Sequence, residues 1–339
     1  MSRAERMLQD VERGFAALEE GRIEDAESAL ERARRVDRKH ADVVLLGAAV
    51  ADANGDADTA LAQYRTLTEL RPDDPMPRIC IARLELRDFG DPDAALDTLD
   101  ATFDFIDDEA DLIEAILIKT EALLARDQPA AARETLAELS SSVIDDGELC
   151  LDLAELSLAA EDPNTAIKWA QAARAADKDI EADALHLLGR VYELADDHAQ
   201  MVAAWKIVRT LDLAAPAGSV STTVEEIERI VIATLAELPE GVRTILEKVP
   251  ILVDDVPSEG MIDEGIDPRS IGQFAGMAMS DSATETPPAV TNIHLFKTNL
   301  ERFAHDEEHL AEEIRITVLH ETAHYFGLDE DDLEKLGLD

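Results

Sequence analysis

The feature that most constrains this chain is a punctuation mark that recurs six times in register. A glycine or polar residue is followed five positions later by a small side chain: Gly21 by Ala26, Gly55 by Ala60, Gly90 by Ala95, Asp127 by Ala132, Glu161 by Ala166 and, in a worn copy, Asp196 by Met201. The marks stand 34, 35, 37, 34 and 35 residues apart. A fixed period of that length describes a helix–turn–helix unit stacked on copies of itself. The alanine has a steric reason. Two antiparallel helices that cross closely need a side chain of little volume at the contact, and each helix after a mark begins with that alanine and continues with leucines at helical spacing.

The helix before each mark carries the matching half of the pattern. In its best copy it reads Leu185, Leu188, Gly189 and Tyr192, and Pro72 falls where such a unit ends its second helix. On these residues the segment from 15 to 212 resembles tetratricopeptide repeats, and 1–212 is assigned to five or six units. The resemblance implies an α-solenoid whose concave face binds a partner protein or peptide and does no chemistry. A plain bundle of Ala/Leu helices is the alternative, and it does not account for marks in near-constant register.

Leu213–Ser221, with its small residues, Pro216 and Gly218, reads as a linker over 213–221. Thr222 and Thr223, each with a glutamate three residues on (Glu225, Glu226), then open a new helix with a capping-box pattern. That helix runs to about Leu238 and a short one follows from Glu240 to Glu247. Val249–Val253 reads as a strand, Asp255–Ser270 as loop, and Ile271–Gly276 as a second strand. Ser280–Ala289, holding Pro287 and Pro288, reads as a mobile loop, and Asn292–Phe296 as a third strand at a sheet edge. The expected class is therefore mostly α: a repeat array, then a small α+β domain over 222–339.

The last helix, from about Asp306 to Phe326, carries the chemistry in Val318-Leu319-His320-Glu321-Thr322-Ala323-His324-Tyr325-Phe326-Gly327. At 3.6 residues per turn His324 lies about 40° round from His320 and Glu321 about 100° round, so the three share one sector. Ile316, Leu319, Ala323 and Phe326 are expected to form the apolar stripe that packs the helix. Gly327 suits the left-handed residue that ends a helix and turns the chain back. Two imidazoles four apart with a carboxylate beside the first are the donor set and general base of a zinc hydrolase.

From Glu312 to Asp329 the chain resembles the minimal zincin-like metallopeptidases, a likeness that extends back through Asn292–Lys297 and Ile271-Gly272 and forward to Leu333, Leu336 and Gly337. The resemblance covers 222–339. It implies one zinc ion held by His320, His324 and the acid at the end of the pattern HExxHxxGxxD, with Glu321 as catalytic base and peptide hydrolysis as the reaction. The final position here is Glu330 where the family has aspartate; a glutamate is one methylene longer and reaches from the same turn, and Asp329 and Asp331 stand beside it as alternatives. The strand at Ile293–Phe296 is the one expected to align an extended substrate. His294 is a candidate transition-state stabiliser; His305 and His309 read as surface residues.

Charge narrows the partners. The chain has 75 acids against 31 bases, a formal charge of −44, and eight of those bases are lysine. Such a surface repels phosphate backbones and anionic head groups, which argues against nucleic acid and membrane and for a partner with a basic patch. The excess of acids fits either a salt-adapted host or a well-solvated surface. Cys80 and Cys150 have no paired spacing and read as reduced core residues of a cytoplasmic protein. The first residues lead into an amphipathic helix rather than a signal peptide, and no apolar run reaches membrane-spanning length. A second reading makes the array the working part, an adaptor with a zincin-like end domain that binds metal without turnover. Glu321, useless to an adaptor, distinguishes the two.

Overall fold

The computed structural model describes residues 2–140, 142–246, 249–275 and 292–326. The Ser280–Ala289 loop, Gly327 and the acids Asp329, Glu330 and Asp331 lie outside the described residues. Helices make up 72% of the described residues, and a three-stranded sheet lies near the C-terminal end, so the class is mostly α with a small α+β part. The chain divides into two compact units, Met1–Ala176 and Asp177–Asp339.

The first unit is five consecutive helix pairs: α1 (Arg3–Glu19) with α2 (Ile23–Asp37), α3 (Ala41–Ala53) with α4 (Ala57–Leu70), α5 (Met76–Arg87) with α6 (Pro92–Asp100), α7 (Glu109–Ala125) with α8 (Pro129–Leu136), and α9 (Gly147–Ala159) with α10 (Pro163–Ala176). The second unit opens with one more pair, α11 (Glu181–Leu194) and α12 (His198–Ala214).

All six marks read from the sequence are left-handed residues. Gly21, Gly55, Gly90, Asp127, Glu161 and Asp196 have φ of 69°, 72°, 62°, 56°, 57° and 57°. After five of them the next amide donates five residues back, as from Arg22 to Ala17 O at 2.8 Å, Gln128 to Leu123 O at 3.0 Å and Asp197 to Tyr192 O at 2.8 Å. This closes the first helix in a Schellman turn. That next residue is often an aspartate that caps the following helix: Asp56 accepts from Thr59 N at 3.1 Å and Asp91 from Ala94 N at 3.0 Å. One dipeptide thus ends one helix and starts the next.

The small residues after the marks are the contact points. Ala26, Ala60, Ala95, Ala132 and Ala166 are fully buried, and Met201 nearly so. At Gly189 a β-carbon would sit 2.0 Å from Trp205 Nε1, so α11 admits only glycine where the indole of α12 crosses it. Cores of neighbouring pairs interlock. Met7, Val11, Leu30, Val43 and Leu46 form one cluster, and Ala48, Ala60, Tyr64, Cys80 and Leu84 form the next. Each hairpin therefore buries its apolar face only when the next one is present. Cys80 and Cys150 are free and buried, and burial pushes the Cys80 thiol up to about 11.

In the second unit the segment after α12 is packed in place: Val220 is buried in the core, Gly218 faces the Glu301 carbonyl, and Thr222 N donates to Glu301 at 2.7 Å. Helix α13 (Val224–Glu237) starts at Thr223, whose hydroxyl accepts from Glu226 N at 3.2 Å while the Glu226 carboxylate accepts from Thr223 N. Then come α14 (Glu240–Leu246), β1 (Ile251–Asp254), α15 (Glu259–Asp263), β2 (Gly272–Ala275), β3 (Asn292–Phe296), α16 (Lys297–Phe303) and α17 (Glu307–Tyr325). The one-turn α15 lies in the expected loop, and α16 was not expected.

The sheet corrects one expectation. Its order is β1-β3-β2, with β3 parallel to β1 and antiparallel to β2. Asn292–Phe296 is therefore the central strand, paired on both sides, and not an edge. The reason lies in burial: Ile293, Leu295 and Phe296 are fully buried, more than an edge strand sustains. Leu295 joins α13 and α17 in a core of Ile227, Val231, Leu300, Leu310, Ile314 and Val318. None of the described helices is long and apolar enough to cross a membrane.

Candidate active site

Helix α17 begins at Asp306, whose carboxylate accepts from His309 N at 2.8 Å. Its packing stripe is Leu310, Ile314 and Val318, continued by Tyr325 against Phe274 and Ile293. Of the expected stripe of Ile316, Leu319, Ala323 and Phe326, Ala323 is buried and Phe326 packs beside Tyr325, whereas Ile316 and Leu319 are only half-buried. Both sets recur at helical spacing, but the sheet and α13 meet the longer one, which runs from the first turn to the last. Ile316 is left lining the floor of a cleft.

His320 and His324 project side by side from the last two turns. Their Nε2 atoms lie 3.0 Å apart and their rings stand edge to face, with centroids 4.6 Å apart. Two ring nitrogens this close fit a single cation when both rings are neutral with the proton on Nδ1, since each neutral imidazole offers one acceptor nitrogen. Among the described residues no group of three metal-binding side chains is assembled. Glu330, Asp329 and Asp331, from which the third ligand is expected, lie outside them.

Glu321 is buried, 7% exposed. Strand β2 passes directly over it. A β-carbon on Gly272 would lie 3.3 Å from Glu321 Cγ and Oε1, and only 2.3 Å from Thr317 Cγ2. Glycine at 272 thus lets a strand backbone approach the helix at the carboxylate.

His320 and Glu321 form one end of a cleft of about 480 Å³ within the second unit. Its floor is the same helix one and two turns earlier, at Thr317, Ile316 and Glu313. Ile271, Gly272 and Phe303 make apolar walls, and His186, Asp267 and Arg269 a polar one. A second cleft of about 330 Å³ shares Arg269, Ile271 and Phe303 and continues toward Asp183, Asp212 and Arg302.

The polar wall is a closed network. Arg269 spans Asp212 at 2.9 and 3.1 Å and Asp183 at 2.6 Å, so its charge is matched on α11 and α12. His186 Nε2 lies 2.8 Å from Asp267 Oδ2, and Arg269 N donates to Asp267 Oδ1 at 2.7 Å. Burial alone would push the Asp267 carboxyl up. The hydrogen bond and charge of His186, with the backbone and guanidinium of Arg269, outweigh it and hold Asp267 below the usual carboxylate range. Glu313, 15% exposed, has Oε1 3.1 Å from His309 Nε2.

The remaining histidines are placed differently from expectation or away from the site. In the sheet register His294 pairs with Leu252 and Gln273, on the face opposite Ile293 and Leu295 that α17 covers. It is tied to Asp254 at 2.7 Å and so does not stand over His320 and His324. His305 is exposed as expected, whereas His309 is mostly buried against Glu313. The residues that sequence reasoning missed are Gly272, Glu313, Asp267, Arg269 and His186. A signal existed for two: Gly272 interrupts a strand pattern, and Glu313 falls on the stripe 313–316/317–320/321 at helical spacing.

Comparison with known proteins agrees with this anatomy. Residues 246–338 match the family model of zincin-like metallopeptidases, and residues 17–84 match that of the tetratricopeptide repeat. The chain carries both modules. Among solved structures it is similar to PilW, described as a widely conserved type IV pilus biogenesis factor, at 14% identity and TM-score 0.52 over 60% of this chain and 92% of that one. It is also similar to pilF of Pseudomonas aeruginosa (17%, TM-score 0.49, 62% and 93%) and to a thermophilic tetratricopeptide protein of Thermus thermophilus (18%, 0.45, 54% and 98%). At 14% identity the likeness to PilW speaks for fold alone. A search of curated proteins gives no match.

Proposed function

We propose that the C-terminal domain is a zinc-dependent peptidase and that the repeat array recruits its substrate or a partner protein. The observation that carries this reading is the convergence of two imidazole nitrogens 3.0 Å apart at the end of a cleft whose adjoining residue is a buried glutamate. His320 and His324 would hold the ion, with Glu330, or Asp329 or Asp331, as third ligand. Zinc bound there would supply an acidified water and a polarised scissile carbonyl. Glu321 takes the proton of the attacking water on a carboxylate oxygen and later hands it to the departing amine nitrogen. Its burial beneath β2 fixes the carboxylate and keeps bulk water from it. With β3 central, the strand that can align an extended peptide is β2, which among the described residues is paired on one side only.

The array supports recruitment because tetratricopeptide repeats mediate protein–protein contacts. The charge of −44 favours a basic partner, whose binding weakens with salt. The functional division we assign is 1–212 for the array, 213–221 for the connection and 222–339 for the peptidase. The test is metal analysis of the full chain, then cleavage of a peptide library by wild type and Glu321→Gln. Zinc in both proteins and cleavage by wild type alone is the expected result. Absence of zinc, or identical cleavage by both, overturns it, and zinc without cleavage by either leaves the array as an adaptor with a metal-binding end domain.

A further inference from the structure

The cleft beside His320 and Glu321 has a composition that selects one kind of side chain. Its length comes from the helix: Glu313 precedes Glu321 by eight residues, about 12 Å along the axis. Between them the floor is Ile316 and Thr317, and the walls are Ile271 and Phe303, a residue 58% exposed. At the far end the charges do not balance. Arg269, the guanidinium on the wall, is already matched by Asp183 and Asp212. Asp267 and Glu313 are each met by a histidine ring, and Asp267 also by a backbone amide. Among the described residues no lysine or arginine forms an ion pair with Glu313, although its side chain is only 15% exposed. The result is an aliphatic and aromatic channel ending in excess negative charge.

We infer that this cleft is the subsite for a lysine or arginine side chain next to the scissile bond, with Glu313 as the specificity-determining residue; the inference rests on the peptidase reading of the same site. A basic side chain has an apolar stem and a charged head. Fully extended it spans about 6 Å, half of the roughly 12 Å between the two glutamates, so the head approaches Glu313 when the residue's Cα lies about midway along the cleft. The stem runs over Ile316 between Ile271 and Phe303, and the head reaches the Glu313 carboxylate as a charge-assisted hydrogen bond. An acidic side chain is repelled by the same pair of carboxylates. A leucine fills the channel but leaves the carboxylate end without a cation.

Two readouts on the full-length protein test this and separate it from the question of turnover. In the first, matched fluorogenic peptides with Lys, Arg, Leu or Glu on either side of the cleaved bond are compared by kcat/KM. The basic peptides should exceed the leucine peptide at least tenfold, about 1.4 kcal/mol. In Glu313→Gln the ratio should fall toward one, and in Glu313→Lys the glutamate peptide should overtake the basic ones. In the second, binding of the same peptides to Glu321→Gln, which needs no turnover, is followed by fluorescence anisotropy with the same order expected. Asp267→Asn serves if Glu313→Gln does not fold, and should weaken the basic preference in the same direction. A Lys-to-Leu ratio near one in wild type, or one that Glu313→Gln leaves in place, overturns the subsite. Preference in binding without cleavage of any peptide sinks the peptidase reading and leaves the subsite standing.

Discussion

The contact between β2 and α17 makes a prediction that can be worked from its geometry. Gly272→Ala places a methyl carbon 2.3 Å from Thr317 Cγ2, where carbon pairs rest at about 3.5–4.0 Å. Thr317 cannot rotate away. Its hydroxyl donates to Glu313 O at 2.7 Å, and a β-branched side chain has few rotamers in a helix. The strand must lift by more than an ångström, or the helix bend, at a cost of about 1–3 kcal/mol. For a unit of this size that lowers Tm by about 2–4 °C per kcal/mol. Thr317→Ser removes only the offending methyl and keeps the hydroxyl. Alone it should cost about 0.5–1.5 kcal/mol as a buried methyl deletion. Combined, the new methyl at 272 fills the space vacated at 317, so the double mutant should be more stable than the sum of the singles by at least about 1 kcal/mol. Urea or thermal unfolding of the four proteins measures this. Turnover should recover less than stability, because the methyl still lies 3.3 Å from Glu321 Oε1. Strictly additive losses would refute the claim that β2 touches α17 at this pair.

Two further outcomes follow from the turns and the buried network. Replacing the non-glycine left-handed residues Asp127, Glu161 and Asp196 by glycine removes a strain of about 1–2 kcal/mol against an entropic cost of about 0.5–1, so each should raise the unfolding free energy measured in urea by a net of about 0.5–1 kcal/mol. Glu161→Gly should gain most, since aspartate tolerates this conformation better, and loss of stability in all three would contradict it. Asp267 is held below the ordinary carboxylate range in the folded state, so its pairing contributes stability above its unfolded value of about 3.9 and loses it as pH falls through the folded value. The Tm difference between wild type and Asp267→Asn should therefore be full at pH 6 and shrink below about pH 4; curves that stay parallel to pH 3 would show that the His186 and Arg269 contacts do not act on this carboxyl.

The repeat half was legible because its information is local. A left-handed residue, a capping aspartate and an alanine within six positions are each dictated by the backbone of one turn, so six copies could be read without knowing what packs on what. The pair of imidazoles was legible for the same reason: His320 and His324 are neighbours on one helix by spacing alone. What failed was non-local. Strand Asn292–Phe296 alternates as an edge strand does, and only the arrival of β1 and β2 on its two sides makes it central. Arg269 and Asp183 are 86 residues apart and nothing in either neighbourhood announces the other. The third ligand was read from a family pattern, and Glu330 lies outside the described residues.

Helix α17 shows why one helical sequence supported two packing stripes and why the choice matters for chemistry. Taking Val318 as zero and about 100° per residue, Leu310, Ile314 and Tyr325 fall between about −80° and 0°, the sector that meets the sheet and α13. His320, His324 and Glu313 fall between about 200° and 240°, with Ile316 at about 160° and Thr317 at about 260°, the sector that meets the cleft. Glu321 falls at about 300°, that is about −60°, inside the packing sector on the side nearer the cleft. A carboxylate at that angle has its stem in the core and its oxygens at the rim of the cleft, which is how it comes to be buried beneath Gly272 and still adjacent to His320. Had Ile316 and Leu319 faced the sheet instead, Glu321 would have pointed nearly opposite to the core, fully solvated and free to swing. The spacing of the motif alone does not separate these cases; the strand that crosses at residue 272 does, because only the first of them puts a glycine backbone within reach of the Glu321 side chain.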